Sequence, residues 1–309
     1  MMVKEYEYQT FKVSRVACFS IIAIMLLAIS GCSKKVGDDD PDEQEHWSVG
    51  FLERPSSKSL RINGKSNVKI SNLSFNNING VAIVIQNCQN IEITECDFAN
   101  VIGGIYVVDS KNVTITWNRF SNIGNGTIGG GHSDYIQFDN SFGGYIAYNK
   151  GKGGKTEDVI SMYKSGGISV SDPLIIEYNH FEGDGWISRS GTGICLGDYG
   201  GGHIVARYNK LLSPGQVGIE IASGVDIRVT GNTIYSHQIP KSNVGICVWN
   251  QTNTPFDNIE VSGNNVRWYN ENGYENYYWS GEDKGFIPKG LETNNWHSDI
   301  DPETLRVKL

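Results

Sequence analysis

NVKISNLSF (67–75), NIEITECDF (90–98) and NVTITWNRF (112–120) are three versions of one pattern. Each alternates apolar and polar side chains, the period of a strand that buries one face. The pattern returns as GYIAYNKGK from Gly144, LIIEYNHFE from Leu174, HIVARYNKL from His203, DIRVTGNTI from Asp226 and NIEVSGNNV from Asn258. Aligned on the small polar residues Ser74, Asp97, Asn118, Asn149, Asn179, Asn209, Asn232 and Asn264, the copies lie 23, 21, 31, 30, 30, 23 and 32 positions apart. A basal period of about 22 with occasional additions of eight to ten residues describes one solenoid coil per repeat, with loops inserted in some coils.

A second strand sits between successive copies: VAIVIQN (81–87), GIYVVDS (104–110), YIQFDNS (135–141), VISMYKS (159–165), GICLGDY (193–199), GIEIASG (218–224) and GICVWNQ (245–251). Its aliphatic phase never slips, running Ile83/Ile85, Ile105/Val107, Ile136/Phe138, Ile160/Met162, Ile194/Leu196, Ile219/Ile221 and Ile246/Val248. Stacking these pairs gives a core in which each coil supports its neighbours. Long amphipathic helices are missing from the pattern, and a propeller blade would need about twice the period. The pattern is similar to that of the pectin-lyase-like proteins, over Leu60 to Val266, which implies an all-β right-handed parallel β-helix of about eight coils.

The segments outside the repeat read differently. Lys4, Lys12 and Arg15 precede an apolar run, Val16 to Ile29, too short for a permanent membrane anchor, as in an export signal. The run ends in Ala28-Ile29-Ser30-Gly31-Cys32, which resembles a bacterial lipobox and implies lipidation at Cys32. Residues 33–46 are polar and acidic, a flexible tether, and resemble the surface-export signal of Bacteroidetes lipoproteins. The implied place is the outer membrane, lipid-anchored and facing the cell exterior. Residues 47–59 are expected to cap the solenoid at one end and the aromatic-rich residues 267–309 at the other.

Removing Lys4, Lys12, Arg15, Glu5 and Glu7 with the signal leaves 23 basic and 32 acidic side chains, net −9, which argues against a nucleic-acid partner. A monomer joined to the membrane only through its lipid is expected. Cys88, Cys96, Cys195 and Cys247 lack metal-ligand spacing and are expected to be free and structural.

Equivalent residues of successive coils lie about 4.8 Å apart, so outward columns follow from the alignment. One column runs Val81, Gly103, Asp134, Asp158, Thr192, Val217, Val244, and another Val84, Tyr106, Gln137, Ser161, Cys195, Glu220, Cys247. Asp139, Tyr163, Lys164 and Asp198 fall at the next outward position or the turn beyond it. Ionisable residues therefore gather on the central coils, beside three insertions. These are Ser121 to Ser133 with His132, the basic Lys150 to Thr156, and Gly183 to Ser190 with Trp186 and Arg189. Long loops raised on a rigid stack commonly wall a cleft.

Two stacked carboxylates, Asp134 and Asp158, need a cation or a shared proton between them. With Glu157 and Asp139 they are expected to hold calcium, a hard ion that takes several oxygens. Alternatively they form an acid and a nucleophile, the stacking at about 5 Å favouring a retaining glycosidase. Glu157-Asp158-Val159-Ile160-Ser161-Met162-Tyr163-Lys164-Ser165 resembles a motif of the β-helical lyases that cleave chondroitin-type chains and alginate. That resemblance implies β-elimination from a uronate-containing polysaccharide, with Lys164 as base, Arg189 assisting and Asp158 on calcium. It departs from the lyases in the spacing of Ser161 and Lys164, and in having Gly197 and Asp198 where they place an Arg. Gln137, Ser161, Tyr163, Trp186, Asp198 and Glu220 are the expected substrate contacts. A glycoside hydrolase and a non-catalytic glycan-binding lipoprotein are the alternatives.

Overall fold

In a computed structural model the chain divides into two units, the second of which, residues 44–309, is compact. The structure describes residues 47–49, 55–124, 133–183, 191–281 and 286–309, all in the second unit. Cys32, the tether, His132, Trp186 and Arg189 lie outside the described residues.

The second unit is a parallel β-helix, as the repeat requires. One strand face runs Leu60–Asn63, Val81–Gln86, Gly103–Val108, Ile136–Asp139, Ile160–Gly166, the first part of Thr192–Arg207, Val217–Ile221 and Val244–Val248. The quoted repeats form a second face, and short strands such as Asp97–Ala99, Arg119–Ile123 and Lys150–Gly154 form a third. Every pairing between successive coils is parallel, for example Ile105↔Ile136↔Ile160↔Ile194. All fourteen inward aliphatics of the first face are buried to 1% exposure or less. Phe75, Phe98, Phe120 and Tyr135 add a buried aromatic stack, with centroids 5.4, 4.8 and 5.1 Å apart.

The corner between the second and third faces holds a buried amide ladder. Asn118, Asn149, Asn179, Asn209, Asn232 and Asn264 each accept from the amide of the preceding rung and donate to the following one. Their second amide hydrogens go to main-chain carbonyls such as Ile93 O and Ile115 O. In the two earlier coils the alignment is corrected by one residue. Cys96, not Asp97, precedes Asn118, since its N–H donates to Asn118 Oδ1. Ser74 and Asp97 pair with each other, and Asp97 with Arg119, to which it is bonded.

Two other expectations change. Lys150 to Thr156, read as a basic loop, begins with a strand of the third face, Lys150–Gly154, in register with Arg119–Ile123. At the C-terminal end the repeat does not stop at residue 266. Tyr278–Ser280 pairs with Ile246–Val248, and Asn294 accepts from Asn264, so these residues extend the strand face and the ladder by one further rung. The four described cysteines are free and buried.

Candidate functional site

The first face presents the outward columns in the expected order. Val84, Tyr106, Gln137, Ser161, Cys195, Glu220 and Cys247 register one on the next, and Trp279 extends the column. Asp134 and Asp158 are stacked as well: Asp158 N donates to Asp134 Oδ1 at 2.7 Å, and Thr192 N donates to Asp158 Oδ1 at 2.7 Å. Each carboxyl thus caps the entrance of the next coil. The line continues through Thr192 Oγ1, which donates to Glu220 Oε2 at 2.9 Å, while Trp249 Nε1 donates to Glu220 Oε1 at 2.6 Å. Glu220 consequently has both oxygens aimed and fixed.

Electrostatics distinguishes these carboxyls. Asp134 is buried, and that burial, reinforced by the Glu157 charge, pushes it up to about 8. Asp158 is raised well above its ordinary value by burial and then by the charges of Asp134 and Glu220. Asp198 is lifted to about 6 by burial first and then by Glu220 and Glu157, against the bond it accepts from Gln251 Nε2 at 2.8 Å. Burial and the neighbouring carboxylates also push the Cys195 thiol well up, away from nucleophile chemistry.

These shifts give stability a definite pH dependence. A carboxyl whose folded pKa lies above its unfolded value binds more protons when folded, so its contribution is complete below the unfolded value near 3.8 and is lost as pH rises through about 8 for Asp134. The protein is expected to melt at a temperature higher by about 5 °C at pH 5 than at pH 8. Asp134→Asn, which keeps the acceptor for Asp158 N, should flatten that dependence in a thermal melt series; an unchanged slope would remove the assignment.

Not every expected site residue joins this group. Asp139 lies five residues along the strand from Asp134, about 17 Å at strand rise, and accepts from Tyr106 Oη at 2.9 Å. Glu157 is exposed at the coil entrance, its N–H bonded to Ser133. Among the described residues, no three histidines, cysteines or carboxylates converge to hold a metal ion. Of the four expected calcium ligands, Asp139 thus stands apart along the strand, while Asp134 and Asp158 each cap a backbone amide through Oδ1. Ser161 is buried, and Gln137 and Tyr163 are half-exposed on the face.

A bulge corrects the register at Lys164. Ser161 pairs with Cys195 but Tyr163 with Asp198, because Gly197, at φ 68°, takes the additional residue out of the ladder. Lys164 is consequently not stacked on Asp198. Exposed at the turn, it carries its ammonium 5.0 Å from the Tyr163 ring centroid and 5.9 Å from that of Tyr199. Arg228 registers with Glu260 on the second face, away from Glu220.

The same bulge places Asp198 one coil before Glu220 and two positions further along the strand. Neighbours on such a diagonal lie roughly 7–8 Å apart. Thr192, Trp249 and Gln251, which fix Glu220 and Asp198, were not singled out from sequence. Trp249 and Thr192 stand in the outward columns already aligned, so their place was legible, but their donors' targets depend on side-chain rotamers.

Residues 58–234 match the family model described as the right handed beta helix region. The chain belongs to this family. No curated protein sequence matches it. Among solved structures it is similar to DFA-IIIase from Arthrobacter chlorophenolicus A6: in complex with DFA-III at 13% identity and TM-score 0.47, over 74% of this chain and 48% of that one. The same enzyme without its lid matches at 15% identity and TM-score 0.47, over 71% and 49%. A further structure of it matches at 14% and 0.45, over 74% and 49%. The chain spans about half the length of these structures, and the likeness is one of fold.

Proposed function

We propose that this β-helix is a carbohydrate-active enzyme that hydrolyses glycosidic bonds of a neutral glycan, with Asp198 as general acid and Glu220 as general base. The observation that carries this reading is the diagonal pair: one carboxyl lifted to about 6, beside one held by Thr192 and Trp249 with both oxygens accepting. The diagonal register sets Asp198 and Glu220 further apart along the face than the directly stacked Asp134 and Asp158, and a wider pair, about 6.5–9.5 Å between carboxyls, is the one that leaves room for an attacking water, so inversion is the expected course. Trp249, bonded to Glu220, meets Trp279 edge to face with centroids 6.0 Å apart, and the two offer aromatic surface suited to a sugar ring on the Glu220 side of the face.

The charge of the face argues for a neutral chain. Glu157 and Glu220 set a negative potential on the face that raises Asp158 and Asp198 and repels uronates. Elimination with Lys164 as base is the second reading, favoured by the ammonium held beside Tyr163 and Tyr199; Arg189 would assist it, and Gln137, Tyr163 and Trp186 would contact substrate in either case. Lipidation at Cys32 would hold the solenoid at the outer face of the membrane behind the acidic tether.

Incubation with neutral and uronate-containing polysaccharides separates the readings. Hydrolysis yields new reducing ends without ultraviolet absorbance, and proton magnetic resonance of the first product should show the inverted anomer. An unsaturated, ultraviolet-absorbing product from alginate or a glycosaminoglycan would replace hydrolysis by elimination.

A further inference from the structure

One outward corner, between the second and third faces, carries an aromatic column unrelated to the carboxylates. Successive coils place Asn72, Glu95, Trp117, Tyr148, Tyr178, Tyr208 and Gly231 at the residue just before the amide ladder. All seven have left-handed backbone, φ between 53° and 65°. Asn and Gly are the ordinary occupants of that conformation, whereas a bulky aromatic there costs about 1 kcal/mol or more. Four consecutive aromatics nevertheless occupy it. The rings stack face to face, Trp117 on Tyr148 at 4.5 Å, Tyr148 on Tyr178 at 5.3 Å and Tyr178 on Tyr208 at 5.3 Å.

Each inner ring has both faces covered by its neighbours, but Trp117 ends the stack. It stacks on Tyr148 on one side and is still 58% exposed, so its other face is open. A groove of about 400 Å³ adjoins the indole, lined by Asn72, Glu95, Arg119, Tyr148 and Lys150. A flat apolar floor with carboxylate, amide, guanidinium and ammonium groups at its rim is the arrangement that holds a sugar: the ring's C–H face covers the indole and its hydroxyls reach the rim. The rim charges are mixed, and Arg119 is already neutralised by Asp97, so nothing selects a charged sugar.

We propose that the open face of Trp117, with Glu95, Arg119 and Lys150, is a second glycan-binding platform that takes a neutral sugar chain away from the carboxylate face. It goes beyond the hydrolase reading and does not depend on it. A chain held there stays at high effective concentration near the first face.

The test is calorimetric titration of the full chain carrying Glu220→Gln, which leaves oligosaccharides intact, with cellohexaose, xylohexaose and mannohexaose. At least one should bind. Adding Trp117→Asn, a residue the corner already accepts at Asn72, should weaken that binding about tenfold with no change in melting temperature. Equal affinity in the two proteins, or no binding of any of the three sugars, overturns the proposal. So does a dimer that Trp117→Asn converts to a monomer in light scattering, since the indole would then be covered by a second copy. Because binding is read without turnover, a parent protein that hydrolyses none of these sugars, while its Glu220→Gln variant binds one through Trp117, would refute only the hydrolase reading.

Discussion

Asn149→Ala is expected to destabilise the solenoid by about 3 kcal/mol or more while leaving the outward carboxylates in place. The side chain is fully buried and saturated. Its oxygen accepts from Asn118 N and Asn118 Nδ2, both at 3.0 Å, and its amide donates to Ile115 O at 2.9 Å and to Asn179 Oδ1 at 3.0 Å. Truncation deprives two donors and one carbonyl of partners in a place that water does not reach, and each such group costs about 1–3 kcal/mol. Asn149→Asp retains the acceptor but turns a carboxylate oxygen toward Ile115 O and Asn179 Oδ1, so it should also destabilise. Asn140→Gly, which suits the left-handed backbone there (φ 46°) and removes one exposed side-chain bond to Asp109, should cost under about 1 kcal/mol and serves as the comparison. Urea titration followed by far-ultraviolet circular dichroism reads all three. A loss below about 1 kcal/mol for Asn149→Ala would mean that the ladder is a consequence of coiling rather than one of its causes.

The contrast between the ladder and the outward site explains what sequence could reveal. Inward aliphatics at period two have one physical role, filling the axis of the coil, and their phase is fixed because a slip of one residue would expose all of them. The stacked columns followed directly, down to Asp134 beneath Asp158 and Glu220 between Cys195 and Cys247. Two places resisted. At Cys96 the corner changes residue type, so an alignment that tracked small polar groups moved to Asp97, which has a different partner in Arg119. At Gly197 the additional residue is absorbed by a bulge that leaves no periodic trace, and it determines whether Asp198 faces Lys164 or Tyr163. Sequence therefore located the face but not the pair upon it. The stack from Trp117 to Tyr208 occupies one column of the aligned repeats, W, Y, Y, Y, but it is the left-handed backbone, which no side-chain period reveals, that turns the rings outward.

Asp198→Asn should lower the hydrolytic rate constant by about 10²–10⁴-fold, the usual contribution of a positioned general acid. The amide keeps the shape and the bond from Gln251 but has no proton to give to the leaving oxygen. The sign of the pH dependence follows from the same group. Asp198 is raised to about 6, so it is protonated below that pH, and kcat/KM should fall about tenfold for each pH unit above it. Gln251 supplies the independent control, because its N–H stabilises the charged form. Gln251→Ala should therefore move the alkaline limb upward while activity at pH 5 persists, an effect that a merely structural role would not produce. Glu220→Gln acts in the opposite sense: the loss of a negative neighbour lowers the Asp198 pKa, so its residual activity should decline at lower pH than in the parent. Limbs that stay in place in both variants would show that the proton comes from elsewhere on the face. Asp158, raised further by burial and by Asp134, would be the next carboxyl to test, because Thr192 connects it to Glu220 through a single residue.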